Sequence, residues 1–325
     1  MWLEGVPTRE YAQIGESIEQ AVVAIKSKSG IVGREKELRM ALLCCMAGRH
    51  TLVEGPVGVG KTVLATAIAD YLNRPIFRVD GDERYTEQKL TGWFDPPIVM
   101  KKGYTADAFI SGPLALAMDT GGILFINELN RLNEGVQNVL LPAMDEGKIE
   151  VPRIGTMLAK NGFLIIATQN PREFVATSSL SEALSDRFEL LPLSYQSEEE
   201  ERAIVQTRSD VHDEYIVNGV TAIVRETRTH PSIRRGASIR AATGMASLLM
   251  RMGSGFEEFR EAAYMSIPTR IELREDSKKT VYEIIDEILE KVLGNIQYAE
   301  LPSKRADTQE RPPEVKTEEK KTIRK

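Results

Sequence analysis

The eight residues Gly55 to Thr62, "GPVGVGKT", constrain this chain more than any other stretch. They match G-x-x-x-x-G-K-[ST] in full. They lie between a short apolar run, "HTLVE", and an apolar-periodic segment, "KTVLATAIADYLN", stopped by Asn73 and Pro75. Strand, glycine-rich turn and helix in that order is the context in which this motif cradles a phosphate. Gly55, Gly58 and Gly60 let backbone N–H groups turn inward, and the helix N-terminus adds positive dipole. Pro56, Val57, Val59 and Val63 fill out the loop and its exit. Lys61 can reach the β- and γ-phosphates of a nucleotide, and the Thr62 hydroxyl can ligate Mg²⁺.

Four further apolar runs read as strands: "IFRVDG" (76–81), "GILFIN" (122–127), "FLIIATQN" (163–170) and "FELLPLS" (188–194). Strands alternating with helices imply parallel β-α-β units, hence an α/β fold whose sheet is covered on both faces. Lys102-Gly103 between two extended runs predicts a hairpin near 97–110, and "KIEVPRIGTMLAKNG" predicts another at 148–162. "EGVQNVLLPAMDEG" reads as a helix with Pro142 inside it. The expected organisation is a nucleotide-binding α/β domain over 1–195, with 1–30 a helical lead-in that includes "SIEQAVVAIKSK". At Ser197, at capping-box spacing from Glu200, the pattern changes, and 196–300 predicts an all-helical lid without strands. The tail 301–325 has 13 charged residues in 25 and is expected to be disordered, because burial cannot offset its ordering entropy.

Composition narrows the function. The net charge of −6, from 42 basic and 48 acidic residues, argues against a dedicated nucleic-acid binder. No apolar run approaches the length of a membrane span, and "MWLEGVPTREYAQ" lacks the pattern of a secretory signal, so a cytoplasmic location is expected. Cys44 and Cys45 are adjacent and cannot by themselves form a four-ligand metal site. Leu38, Ala41, Leu42, Cys45 and Met46 share one helical face, which predicts buried structural thiols. Trp93 and Phe94 are expected to be a packed aromatic pair.

A phosphate loop needs a second, acidic strand end. "ILFINEL" supplies it, but with Asn127 where aspartate is usual, followed by Glu128. The last strand residue usually holds Mg²⁺ through water, and a following glutamate can take a proton from the attacking water. Two readings of Asn127 stand. Either its amide oxygen substitutes for the carboxylate in a working, slowed site, or the site binds ATP as a switch. The presence of Glu128 favours the first.

"GPVGVGKT", "ILFINELNR", "FLIIATQNP", "ALSDRFEL" and "GASIRAA" occur in this order at suitable separations. Together they resemble the MoxR family of AAA+ ATPases, over roughly residues 20–300. The two hairpins resemble the helix-2 and pre-sensor inserts that this family shares with the magnesium-chelatase motor and the MCM helicases. The resemblance implies ATP and Mg²⁺ as cofactors, with Lys61 and Thr62 on the phosphates and Thr62 and Asn127 toward the metal. It implies Glu128 as catalytic glutamate, Asn170 as sensor 1, Arg187 as the arginine finger for a neighbouring subunit, and Arg240 as sensor 2. Val32 and Gly33 fall where the family lines its adenine pocket. Ile239 replaces the proline common before the sensor arginine, and Arg234 and Arg235 compete for that role. Arg131 could face a subunit interface. Plainer readings are a helix-end ion pair of Arg187 with Asp186 or Glu182, and local capping or pairing for Arg240.

The implied activity is a hexameric, chaperone-like ATPase that acts on client proteins in assembly or in metal or cofactor maturation, with a separate von Willebrand A-domain partner. An MCM-like DNA motor is the alternative, with only "MKKGY" in its favour. A nucleotide-gated scaffold with little turnover is another, resting on Asn127 alone.

Overall fold

In the computed structural model, which describes residues 18–170 and 180–295, eleven strands follow one another along the chain. They are β1 His50–Glu54, β2 Ile76–Asp80, β3 Gly92–Phe94, β4 Phe109–Ser111, β5 Ile123–Asn127 and β6 Lys148–Val151. The remainder are β7 Gly155–Leu158, β8 Leu164–Gln169, β9 Phe188–Pro192, β10 Ile233–Arg235 and β11 Glu272–Leu273. The part of the expected lead-in before Ile18 and the charged tail 301–325 lie outside the described residues.

Five strands form one parallel sheet in the order β2-β5-β8-β1-β9. The inner strands β5 and β8 are apolar at nearly every position because helices cover both faces. Side chains alternate between the faces. Phe125 packs with Ile25, Leu38, Leu42 and Ile68 from the helices Ile18–Ser29, Glu35–Met46 and Lys61–Tyr71. Leu124 and Ile126 pack on the opposite face with Leu90, Leu114 and Met118. All strands run the same way, so their carboxyl ends emerge at one edge. Glu54 is level with Gln169, and Asp80 with Asn127. At the other edge, His50 is level with Phe188.

Several local expectations are revised. Around 97–110 the chain does not turn at Lys102-Gly103 as a simple hairpin. β3 and β4 pair antiparallel, and the helix Pro96–Lys102 fills the tip. Prolines in its first turn suit helix initiation, and Gly103 at φ 75° ends it. The second hairpin forms as expected from β6 and β7. Residues 134–145 are two helices, Glu134–Asn138 and Leu140–Asp145, with Pro142 in the first turn of the second, where an N–H is dispensable. Phe94 packs edge-on against Tyr104 and Phe109, whereas Trp93 points the other way and is 43% exposed, so the two are not a pair. Cys45 is buried, and burial pushes its thiol up to about 12, while Met46 ends its helix exposed rather than on the core face.

After β9 the chain is helical, beginning with Glu198–Ser209, whose Ser197 and Glu200 form the expected capping box. The helices Glu214–Thr229, Ile239–Met252, Phe256–Ser266 and Val281–Asn295 share one core around Phe259 and Met245. The lid is not free of strands. β10 and β11 pair antiparallel at its edge. Their arginine-rich, two- and three-residue arms carry no alternation that a sequence reading can register. Among the described residues, no helix is long and apolar enough to cross a membrane.

Candidate functional site

The phosphate loop leaves β1 after Glu54. Gly58 and Gly60 have φ of 84° and 93°, left-handed values that suit glycine, and Gly60 caps the helix that starts at Lys61. A Cβ on Gly55 would stand 2.3 Å from the Leu193 carbonyl oxygen, so only glycine fits beneath the end of β9. The Lys61 ammonium donates to the carbonyls of Gly55 at 2.6 Å and Pro56 at 3.0 Å, which keeps it over the loop's mouth. The loop is also clamped from behind. Buried Arg34 donates to the carbonyls of Val59 at 3.1 Å and Ser194 at 2.6 Å, and pairs with Glu37. No motif marks Arg34 in the sequence.

Two clefts open beside the loop. One, of about 610 Å³, runs between the sheet unit and the lid, with Val32, Val63 and Gly58 on one wall and Ile204, Thr207 and Ile239 on the other. Its mostly apolar lining suits a planar base. Val32 is held to the lid by a 2.7 Å bond from Gln196 Nε2 to its carbonyl. Gly33 lies outside this lining. A Cβ there would meet Glu200 Oε1 at 1.9 Å, so Gly33 lets the lid close down. The second cleft, of about 770 Å³, brings Pro56 and Val57 together with Asn170 and Arg240. Arg240 borders both clefts and has no ion pair among the described residues, so it is not spent on local pairing. Arg234 and Arg235 also border the second cleft, but both are drawn to Glu272.

At the end of β5 the side chains form a strap across three strands. The Asn127 amide donates to Asp80 Oδ1 at 3.0 Å, and its oxygen accepts from Thr168 Oγ1 at 3.1 Å. Thr168 Oγ1 in turn accepts the Glu128 backbone N–H at 3.0 Å. This holds Glu128 in a left-handed conformation, φ 59° and ψ 55°, with Gly81 so close that a Cβ would stand 2.0 Å from the Glu128 carbonyl oxygen. Arg131 pairs with the Glu128 carboxylate at 3.0 Å. Asp80 and Thr168 have no place in the sequence reading, which sought the acid on one strand only. "VDG" ending the second strand is the signal that marks Asp80.

The strap accounts for the asparagine. The Arg78 guanidinium, then the Asn127 amide, hold the Asp80 carboxyl below the usual carboxylate range. An aspartate at 127 would face that carboxylate at about hydrogen-bond distance, and one of the pair would have to take a proton. Asn127→Asp is therefore expected to slow ATP turnover at neutral pH by about tenfold, and added Asp80→Asn to restore it. A faster single variant in a steady-state assay would refute this account. The residues present fit a magnesium site of the water-mediated kind. Thr62 lies in the first turn of the loop helix, and the Asn127 oxygen keeps acceptor capacity beyond its one bond to Thr168.

Arg187 is elsewhere. It precedes β9, whose first residue is level with His50, while the loop follows Glu54 at the other end of β1. Five residues of strand separate them, roughly 16 Å. Its guanidinium grips Asp145 through two bonds of 2.6 and 2.5 Å and also reaches the Ala183 carbonyl. The expected plain partners, Asp186 and Glu182, are not used. The pairing holds the Asp145 carboxyl below its ordinary range.

Residues 50–188 match the family described as "AAA domain (dynein-related subfamily)". The gas vesicle ATPase GvpN of Haloferax mediterranei is 29% identical over 219 residues, which are 62% of this chain and 63% of the relative. GvpN2 of Halobacterium salinarum is 31% identical over 213 residues, 59% of this chain and 61% of the relative. The chain thus spans under two thirds of these relatives' own length. Among solved structures, the Thermotoga maritima RuvB Holliday junction branch migration motor is 22% identical, covering 72% of this chain and 70% of that one with a TM-score of 0.46. The domain match and the two ATPase relatives agree with the order in which the sheet presents its motifs: the chain carries an AAA+ core and is similar to ATPases of the GvpN and MoxR kind.

Proposed function

We propose that this chain hydrolyses magnesium-bound ATP as a ring, a hexamer in the simplest case, and that its strokes remodel client proteins. The observation that carries the reading is the position of Arg187, at the sheet edge opposite its own phosphate loop. A cation there serves the ATP of the next subunit, as a finger supplied in trans. Within one subunit, Lys61 and Thr62 hold the phosphates, and Val32 and the apolar cleft hold the base. Asn170 orients the attacking water, Glu128 accepts its proton, and Arg240 bridges lid and phosphate. Thr62, and Asn127 through water, would hold Mg²⁺, which would supply charge neutralisation at the phosphates.

The two inserts are the client-facing parts in this reading. Met100 is 88% exposed and Leu158 67%, and Arg153 stacks on Tyr104 at 3.9 Å to tie one insert to the other. The resemblance to the MoxR family supports a chaperone-like role in assembly or in cofactor or metal maturation, a von Willebrand A-domain partner and a cytoplasmic location. Sedimentation in Mg-ATP, with turnover measured across the same concentrations, tests the ring. Specific activity should rise with assembly. Full activity in a monomer would overturn the reading.

A further inference from the structure

Ser238 stands at the N-cap of the helix Ile239–Met252 with φ −86° and ψ 169°, a backbone suited to capping, yet its side chain makes no bond to that helix. Thr86, Asn133, Ser181, Ser197 and Asp213, at equivalent positions, all cap theirs. Ser238 is nevertheless buried, 9% exposed. What covers it is the phosphate loop. A Cβ placed on Gly58 would lie 2.3 Å from Ser238 Cβ and 2.6 Å from its Oγ. The side chain therefore rests directly on the apex of the loop, in the cleft bordered by Pro56, Val57 and Arg240.

Its backbone is fixed there. The preceding Ala237 donates its N–H to Thr227 Oγ1 at 2.9 Å and accepts from Arg228 Nε at 2.9 Å. Capping is the ordinary use of a serine hydroxyl at this position, and this one instead lines the cleft. The hydroxyl stands at the N-terminus of its own helix, beside the glycine at the apex of the phosphate loop, a setting that favours an anion.

We propose that Ser238 binds nucleotide: its hydroxyl donates to a phosphate oxygen of ATP or ADP across Gly58. The lid then reads the polyphosphate through a neutral donor as well as through Arg240. The proposal rests on the nucleotide reading of the loop. It predicts a separation of stability from affinity that a structural serine would not give. Ser238→Ala keeps the Cβ that packs on Gly58 and removes only the hydroxyl.

The test is titration calorimetry of ATP and ADP with Mg²⁺, together with the melting temperature of the protein without nucleotide. Wild type, Ser238→Ala and Asp213→Ala are compared. Ser238→Ala should bind about tenfold more weakly or worse, as for a lost bond to a charged acceptor, with an unchanged melting temperature. Asp213→Ala, which removes a true cap with bonds to Tyr215 and Ile216, should melt earlier and bind as wild type does. Unchanged affinity in Ser238→Ala, or a lowered melting temperature like that of Asp213→Ala, overturns the proposal. Failure of the wild type itself to bind would overturn the nucleotide reading, and this proposal with it.

Discussion

Arg187→Ala is expected to lower ATP turnover by about 10³-fold or more and to leave nucleotide affinity near that of the wild type. The size follows from the charge that builds on the transferring phosphoryl group, which a buried cation at an interface stabilises strongly. The unchanged affinity follows from distance, since Arg187 and its own loop occupy opposite ends of β1 and β9. The ion pair with Asp145 is partly exposed and adds little to stability, so the loss is not one of folding. Asp145→Asn checks this, because it breaks the pair and spares the finger. Mixing Arg187→Ala with Glu128→Gln subunits gives the sharper result. Neither variant is active alone, but an intact finger then meets an intact glutamate at roughly a quarter of randomly formed interfaces. No recovery on mixing, in rings shown to exchange subunits, would refute action in trans.

Glu128→Gln is expected to lower turnover by about 10²–10⁴-fold, the range for loss of a general base, with nucleotide binding preserved. The glutamine keeps the length of the side chain and the backbone bond to Thr168, so the left-handed turn persists. It loses the ion pair with Arg131 and the capacity to take a proton. Single-turnover hydrolysis of prebound ATP separates chemistry from binding. A rate within a few-fold of the wild type would remove Glu128 from the reaction and favour the lid arginines.

How much of this was legible in the sequence depended on how local the cause is. β5 and β8 declare themselves because both faces are buried, which forces continuous apolar runs. The phosphate loop declares itself because its left-handed positions call for glycine. Arg187 was named from a short motif, but its partner Asp145 lies 42 residues away and meets it only through the packing of a short helix at the sheet edge. The strap at Asn127 escaped for a related reason. Asp80 and Thr168 are 47 and 41 residues distant from it, and only strand order makes them neighbours. The helix in the first insert was hidden by Lys102-Gly103, which ends a helix as readily as it turns a hairpin. Met46 and Trp93 show that an apolar residue at the right spacing can still fall beyond the end of its covering element.

If Arg187 serves the next subunit's ATP as proposed, the parallel sheet gives each subunit one donating edge and one receiving edge. In the proposed ring the finger of one copy faces the loop of the next, so each interface completes one site. In that arrangement subunits add nose to tail, and any open arc would end in one copy whose ATP has no neighbour's cation. Closure alone removes that idle end. Activity should therefore respond to concentration as a threshold, with the last subunit finishing two sites at once.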